Sequence, residues 1–313
     1  MSALVVADIG GTHARFALFD RGRLGEVTTL PTADYPDFGE AYADFARAVR
    51  GPLPRDVAIA AAGPMREGRI ALTNASWVID AEALRDRLGL ARITLLNDFA
   101  AVAYAAAGAG QDDFRHLAGP DRALSTTGTV TVLGPGTGLG IAAFHRHARG
   151  MTVIAGEGGH IGFAPQDPFE DGLLDILRAR HRRVVTEHVV AGPGIARIYE
   201  TLGGGTAATD RAVWTALGAG GDALAEAAAD RFCAALGSAA GDYALVHGAV
   251  AVVLAGGLAM RLASRLHASQ FAARFLAKPH YETMMADMPV KLLALPQPGL
   301  LGAAAAFAQE HAG

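Results

Sequence analysis

Ile93-Thr-Leu-Leu-Asn-Asp-Phe-Ala-Ala101 is the stretch whose reading decides the fold. Ile93 to Leu96 have the β-branched and leucine character of a buried strand. The run stops at two polar residues, Asn97 and Asp98, and an alanine-rich segment of helical character follows from Phe99 to Ala107. A carboxylate where a strand ends and a helix begins sits where open α/β sheets take their ligands. Asn and Asp also favour this position simply because they cap helices. Taken alone, the pair is better explained by capping, so its neighbours must decide.

Outward from this pair, the chain reads as one α/β lobe. Leu4 to Asp8 and Ala14 to Phe19 are apolar runs around Ile9-Gly10-Gly11-Thr12, the pattern of a β-hairpin. Arg21-Gly22 suggests a second turn and Val27 to Leu30 a third strand. Phe38, Tyr42, Phe45 and Val49 recur at helical spacing over residues 38–49. A strand follows from Val57 to Ala62, stopped by Gly63-Pro64, and an extended pair from Gly68 to Trp77. Asp80 is placed to cap a helix over 81–88 that ends at Gly89.

Residues 108–128 are rich in Gly, Asp, Ser and Thr and read as linker or surface loop. Thr129 to Leu133, Gly134-Pro-Gly-Thr-Gly-Leu-Gly140 and Ile141 to Phe144 then repeat the opening plan of strand, Gly/Thr turn and strand. This weak internal repeat has the period of a lobe and suggests a duplicated architecture, with two glycine hairpins facing each other across a cleft. Gly156-Glu-Gly-Gly-His160, a helix from Phe169 to Arg180, a short helix capped by Thr186 and Gly192-Pro-Gly194 follow. Residues 203–245 are mostly alanine-rich helix. Val250 to Leu254 is a strand ending in Ala255-Gly256-Gly257, Lys291 to Leu295 is the last strand, and Pro298 opens a terminal helix.

At 313 residues the chain exceeds the size at which single cores divide, so two domains are expected. With 51% hydrophobic and 19% charged residues there is material for two cores, and a net charge of −4 gives no reason to expect nucleic acid or an anionic membrane as partner. Cys233, the single cysteine, can form neither an internal disulfide nor a thiolate metal site. The amino terminus lacks the basic region of a signal peptide, and the apolar window from Tyr243 to Met260 is interrupted by His247 and glycines and reads as a buried strand. Neither lysine, Lys278 nor Lys291, follows a glycine loop, which excludes a Walker-type P-loop.

Backbone N–H groups in glycine-rich turns can converge on phosphate oxygens. Gly10-Gly11-Thr12 and Gly136-Thr137-Gly138 each add a hydroxyl, although either alone could be an ordinary turn. Asp8, just before the first loop, is placed to hold Mg²⁺ through water, or else initiates the turn. The dinucleotide fingerprint fails, because Leu139 occupies the position of its third glycine. Glu157 and His160 lie on a loop too glycine-rich for a helix interior and could hydrogen-bond a polyhydroxylated ligand, unless they are merely solvated. They do not complete a zinc site. Glu187 alone says little. Gly237-Ser-Ala-Ala-Gly241 has its serine in the wrong place for a nucleophile elbow, which disfavours a serine hydrolase.

Asp8-Ile-Gly-Gly-Thr-His-Ala-Arg15, Leu95-Leu-Asn-Asp-Phe99, Gly134 to Gly140, Gly156 to His160, Gly192-Pro-Gly194 and Pro298-Gly-Leu-Leu-Gly302 together resemble the bacterial glucokinases, in order and spacing, from residue 4 to about 308. The wider group is the sugar-kinase, actin and heat-shock-chaperone superfamily. The resemblance implies an α/β fold with a duplicated, actin- and hexokinase-like two-lobe architecture, mixed sheets flanked by helices, and a central cleft. Residues 1–107 would form the small lobe, with a helix from 297–313 packing back onto it, and residues 108–296 the large lobe. It implies transfer of the γ-phosphoryl group of ATP to the 6-hydroxyl of glucose, with Asp98 as general base. Asn97, Asp98, Glu157, His160 and Glu187 would bind the sugar. Asp8, Ile9, Gly10, Gly11, Thr12, Gly136 and Thr137 would grip phosphates, Gly256 and Gly257 would line the adenosine side, and Mg²⁺ would be held near Asp8 through water. Glucose and ATP are the expected ligands of a cytoplasmic enzyme, with a homodimer allowed and neither nucleic acid nor membrane as partner. Two positions depart from the family pattern: His13 stands where asparagine is common, and Ala191 where a serine often precedes Gly-Pro-Gly. A kinase for another hexose, such as mannose or an N-acetylhexosamine, and a non-catalytic sugar sensor are the alternatives.

Overall fold

The computed structural model describes residues 3–205 and 208–312. They form two compact units: one of residues up to 110 with 153–155 and 295 onward, the other of 111–152 and 156–294.

The first unit is built on a sheet in the order Arg23–Leu24, His13–Asp20, Leu4–Ile9, Asp56–Ala61 and Arg92–Asn97, with Thr28–Pro31 also pairing with His13–Asp20. Leu4–Ile9 is antiparallel to His13–Asp20 and parallel to Asp56–Ala61, which is in turn parallel to Arg92–Asn97. The inner strands are apolar on both faces because both faces are covered. Val5, Ala7, Ile9, Val57 and Ile59 face a core shared with Phe16, Phe38, Tyr42 and Phe45. There the helix Phe38–Ala48 packs its aromatic stripe, with Phe16 and Phe45 stacked at 5.4 Å. Leu4, Val6, Ala58 and Ala60 face the opposite way, toward Leu300, Ala303, Ala304 and Phe307 of the terminal helix Pro298–Glu310. That helix lies against the helix Asp98–Gly108 so closely that a side chain at Gly302 would strike the Ala101 carbonyl. Gly313, included in the expected terminal helix, lies outside the described residues.

Asp80 caps Ala81–Leu88 by accepting the Ala83 N–H, and Gly89 ends it in the left-handed region at φ +63°. The expected extended pair over Gly68 to Trp77 is instead a three-stranded antiparallel sheet of Met65–Arg66, Arg69–Ala71 and Val78–Asp80. Thr73 to Ser76 turn the chain between the last two strands, and the Leu72 N–H bonds the Trp77 carbonyl at 3.0 Å. Trp77 is buried and donates its indole N–H to the Tyr35 carbonyl, so its aromatic bulk serves the core.

The second unit repeats the plan. Its sheet runs Phe114–Ala118, Val290–Leu293, Ala249–Leu254, Gly128–Pro135, Leu139–His147 and Gly150–Gly156. Gly128–Pro135 is antiparallel to Leu139–His147 and parallel to Ala249–Leu254, which is parallel to Val290–Leu293. Each unit thus has a hairpin whose first strand continues into two parallel neighbours. This is a duplicated, mixed α/β architecture with helices on the sheets.

Two readings change here. The segment 108–128 is not all loop, since Phe114–Ala118 pairs antiparallel with Val290–Leu293 and buries Leu117. Thr186 does not cap a helix; Thr186–His188 is a single 3-10 turn with Val185 at its cap, and the Thr186 hydroxyl bonds the Ile161 carbonyl instead.

The long helix Ala223–Val246 runs through this core. Gly237 and Gly241 let it approach the backbone at Phe271 and Phe275, so Gly237-Ser-Ala-Ala-Gly241 is a packing motif. Both lysines are committed to structure: Lys278 bonds Asp242 and the Ser238 carbonyl, and Lys291 bonds Asp121. Among the described residues no helix is long and apolar enough to cross a membrane, the window from Tyr243 being divided between the helix end and the strand Ala249–Leu254.

Candidate active site

In the first unit, sheet register brings three loop starts to one edge. Ile9 pairs with Ala61, and Ala61 with Asn97, so the chain leaves all three parallel strands from the same row. This carboxyl edge holds Asp8 and Gly10 to Thr12 from one strand, Gly63 from the next, and Asn97-Asp98 from the third.

Asn97 is the helix cap. Its Oδ1 accepts the N–H groups of Phe99 at 2.9 Å and Ala100 at 3.1 Å. Its Nδ2 donates to the Gly63 carbonyl at 3.0 Å. A side chain on Gly63 would come within 2.5 Å of the Ala71 carbonyl, which explains the glycine there. With capping assigned to Asn97, Asp98 is the first residue of the helix, half-buried, where the positive end of the helix favours a carboxylate. Asn97 keeps one Nδ2 hydrogen beyond its bond to Gly63.

The Gly10-Gly11-Thr12 turn is held by the Gly10 N–H on the His13 carbonyl at 2.9 Å. Thr32 adds two bonds, from its hydroxyl to the Gly10 carbonyl and from its N–H to the Thr12 carbonyl, both at 3.0 Å. Gly10 and Gly11 do not adopt left-handed backbone. Gly11 is needed because a Cβ would lie 2.7 Å from that of Asn74. Thr12 and His13 are exposed, so the histidine departure costs the turn no packing.

Asp8 sits against the start of the helix Pro298–Glu310. A Cβ on Gly299 would stand 2.7 Å from the Asp8 Cγ and Oδ2. Burial pushes the Asp8 carboxyl above its usual range, and Arg15, at 3.7 Å, pulls it partway back. Its side chain keeps 23% of its exposure, enough for a hydrated ligand. Mg²⁺ commonly binds through one or two carboxylates with retained waters and substrate phosphates. A single, partly exposed and electrostatically uncomfortable carboxylate beside a glycine turn fits that donor set. Among the described residues no group of three His, Cys, Asp or Glu could hold a metal alone.

In the second unit, Gly136, Thr137 and Gly138 turn between paired strands, with the Gly136 N–H on the Gly138 carbonyl at 2.7 Å. Gly136 and Thr137 are exposed. The Gly136 carbonyl accepts the Gly192 N–H at 2.7 Å, and a side chain on Gly192 would meet that oxygen at 2.9 Å. Buried Ala191 accepts the Gly194 N–H through its carbonyl, so the missing serine hydroxyl leaves that turn intact. Gly256, at φ +93°, follows the strand Ala249–Leu254, and a Cβ there would lie 3.7 Å from the Pro135 carbonyl. Gly256 therefore borders the second hairpin, while a Cβ on Gly257 would stand in open space.

Glu157 and His160 flank a 3-10 turn over Gly158–His160 and are exposed. Tyr243 anchors this turn by donating its hydroxyl to the Gly158 carbonyl at 2.6 Å, and burial pushes the phenol up to about 12. Side chains at Gly158 and Gly159 would strike Ile141 and the Leu139 carbonyl, at 2.9 and 2.6 Å. Glu187, half-buried on the Thr186–His188 turn, accepts the Leu139 N–H on Oε2 at 2.7 Å. The same oxygen would lie 2.5 Å from a Cβ on Gly138 and 3.5 Å from one on Gly159. Glu187 therefore touches both the glycine hairpin and the Glu157–His160 loop.

Thr32, Asn74 and Tyr243 are not singled out by the sequence, and Gly63 and Gly299 stand out only as part of a strand stop and of a family motif. Gly63-Pro64 and Pro298-Gly299 carried a signal in their position at element ends, whereas Thr32, Asn74 and Tyr243 act through contacts distant in sequence.

Two glycine hairpins at equivalent edges of duplicated sheets, one beside a strand-end carboxylate, define the class of sugar-kinase-like folds. The glucokinase family model matches residues 5–310, and the chain belongs to the glucokinase family. It is 46% identical to a glucokinase of Zymomonas mobilis over 98% of both chains, and 37% identical to one of Caulobacter vibrioides over 98% of this chain and 95% of that one. The crystal structure of a glucokinase from an Antarctic psychrotroph superposes with a TM-score of 0.86 at 32% identity, covering 99% of each chain.

Proposed function

We propose that this chain transfers the γ-phosphoryl group of ATP to the 6-hydroxyl of glucose, with Asp98 as general base. The observation that carries this reading is the division of labour at the pair: Asn97 alone caps Ala100 and shares the Phe99 N–H with Asp98 Oδ1, which leaves Asp98 Oδ2 at the same carboxyl edge of the sheet as the Gly10–Thr12 turn. Asp98 accepts the proton of the sugar hydroxyl as that oxygen attacks the γ-phosphorus in line, and ADP leaves. The spare Nδ2 hydrogen of Asn97, with Glu157, His160 and Glu187, orients the sugar hydroxyls. The N–H groups of Gly10 to Thr12 and of Gly136-Thr137, with their hydroxyls, bind phosphate oxygens, and Gly256-Gly257 borders the adenosine. Asp8 would hold Mg²⁺, which when bound would neutralise phosphate charge, a need sharpened because both lysines are committed elsewhere. The enzyme works in the cytoplasm, where ATP is available.

The test couples ADP formation to glucose, mannose, fructose and N-acetylglucosamine in turn, with Mg²⁺ present. Turnover is expected with glucose as the preferred sugar. A protein that turns over none of them is not a kinase of this kind, and one that prefers another sugar shifts the assignment within the family.

A further inference from the structure

We infer that Glu187 has a second task besides binding sugar: its carboxylate holds the second glycine hairpin in its nucleotide-binding shape, even when no sugar is present. This rests on the reading of Gly136-Thr137 as a phosphate site. The hairpin tip is exposed and short of internal bonds. Besides the bond from Gly136 to Gly138, it is fastened from outside at two points, the Gly192 N–H on the Gly136 carbonyl and the Glu187 carboxylate on the Leu139 N–H. Leu139 is buried at 4% exposure, so withdrawing the carboxylate strands a buried N–H.

The carboxylate is held tightly in place. Gly138 and Gly159 both lack side chains where Glu187 Oε2 passes, so the oxygen lies between hairpin and loop. The backbone of Glu187 is fixed in turn, because the Thr186 N–H and hydroxyl both bond the Ile161 carbonyl. Oε2 serves the hairpin, and the sugar contact falls to Oε1. One side chain thereby belongs to both ligand sites. Glu157 makes no such bond to the hairpin: the contacts of its loop run to Tyr243, Ile141 and Leu139 through Gly158 and Gly159.

The experiment measures the affinity of the sugar-free protein for AMPPNP with Mg²⁺ by calorimetry. Glu187→Ala is expected to weaken binding roughly tenfold, the scale of one lost charge-assisted hydrogen bond. Glu187→Gln should stay within about threefold, since its amide oxygen can accept the Leu139 N–H. Glu157→Ala should bind AMPPNP like the wild type. If Glu187→Ala does not fold, Glu187→Met supplies the volume without an acceptor and should show the same loss. Wild-type affinity in Glu187→Ala or Glu187→Met overturns the second task and leaves the kinase reading standing. A wild-type protein that does not bind AMPPNP without sugar overturns the second task, and the turnover assay then decides the kinase reading separately.

Discussion

Replacing Asn97 and Asp98 separately should divide stability from catalysis. Asn97→Ala removes the acceptor of the Ala100 N–H and the donor to the Gly63 carbonyl, while the Phe99 N–H keeps Asp98 Oδ1. A lost cap costs about 1 kcal/mol. A half-buried carbonyl left without its donor costs about 1 kcal/mol more. The expected loss is therefore about 2 kcal/mol, or roughly 4–8 °C in Tm for a protein of this size. Asp98→Asn keeps the shape of the side chain and the cap of Asn97, so its Tm should fall by less than that of Asn97→Ala. Its kcat should fall by about 10²–10⁴, the range for a positioned base. Thermal unfolding by circular dichroism and the coupled assay read the two effects on the same preparations. If Asp98→Asn lowered Tm as far as Asn97→Ala and kept most of kcat, Asp98 would be the structural member of the pair and the base would have to be sought elsewhere.

Gly299→Ala places a methyl 2.7 Å from the Asp8 carboxylate and should displace it. The Mg²⁺ concentration giving half-maximal rate is expected to rise; an unchanged value would remove Asp8 from the metal site. At His188, burial, then stacked His181 and neighbouring Arg197, push the imidazole below its ordinary value of 6.5, while Glu187 opposes them and His160 adds to the lowering. The folded protein then binds fewer protons at His188 than the unfolded chain, so this contribution to stability is full above about pH 6.5 and is lost as pH falls below it. Urea midpoints measured from pH 8 to pH 5 should fall more steeply in the wild type than in His188→Asn, and parallel curves would assign the acid sensitivity to other groups.

The elements nearest the chemistry were the most legible, because each is marked by local backbone requirements. Leu4–Ile9, His13–Asp20 and Arg92–Asn97 appear within a few residues of their expected bounds, as do Asp80 and Gly89 around Ala81–Leu88. Phe114–Ala118 was hidden by its setting: only Leu117 is buried, and its partner Val290–Leu293 lies far along the chain. The short helices Ala263–Ala268, Phe271–Leu276 and Glu282–Ala286 are too brief to show a helical period. Apart from the resemblance, the residues alone left open which of Asn97 and Asp98 caps the helix, since both residue types do so; the bond to the Ala100 N–H and the tie to the Gly63 carbonyl assign it to Asn97. Glu187 was undervalued for the same reason, as the partner that gives it meaning is a backbone N–H 48 residues away.

The terminal helix Pro298–Glu310 covers the sheet face formed by Leu4, Val6, Ala58 and Ala60. During synthesis those strands are made well before the helix that shelters them. The second unit, continuous but for three residues between 111 and 294, has its whole core available earlier. The sheet that presents Asp8 and Asp98 is thus begun before the second unit and completed after it, and a chain interrupted before Pro298 leaves its apolar face open to aggregation rather than yielding half an enzyme.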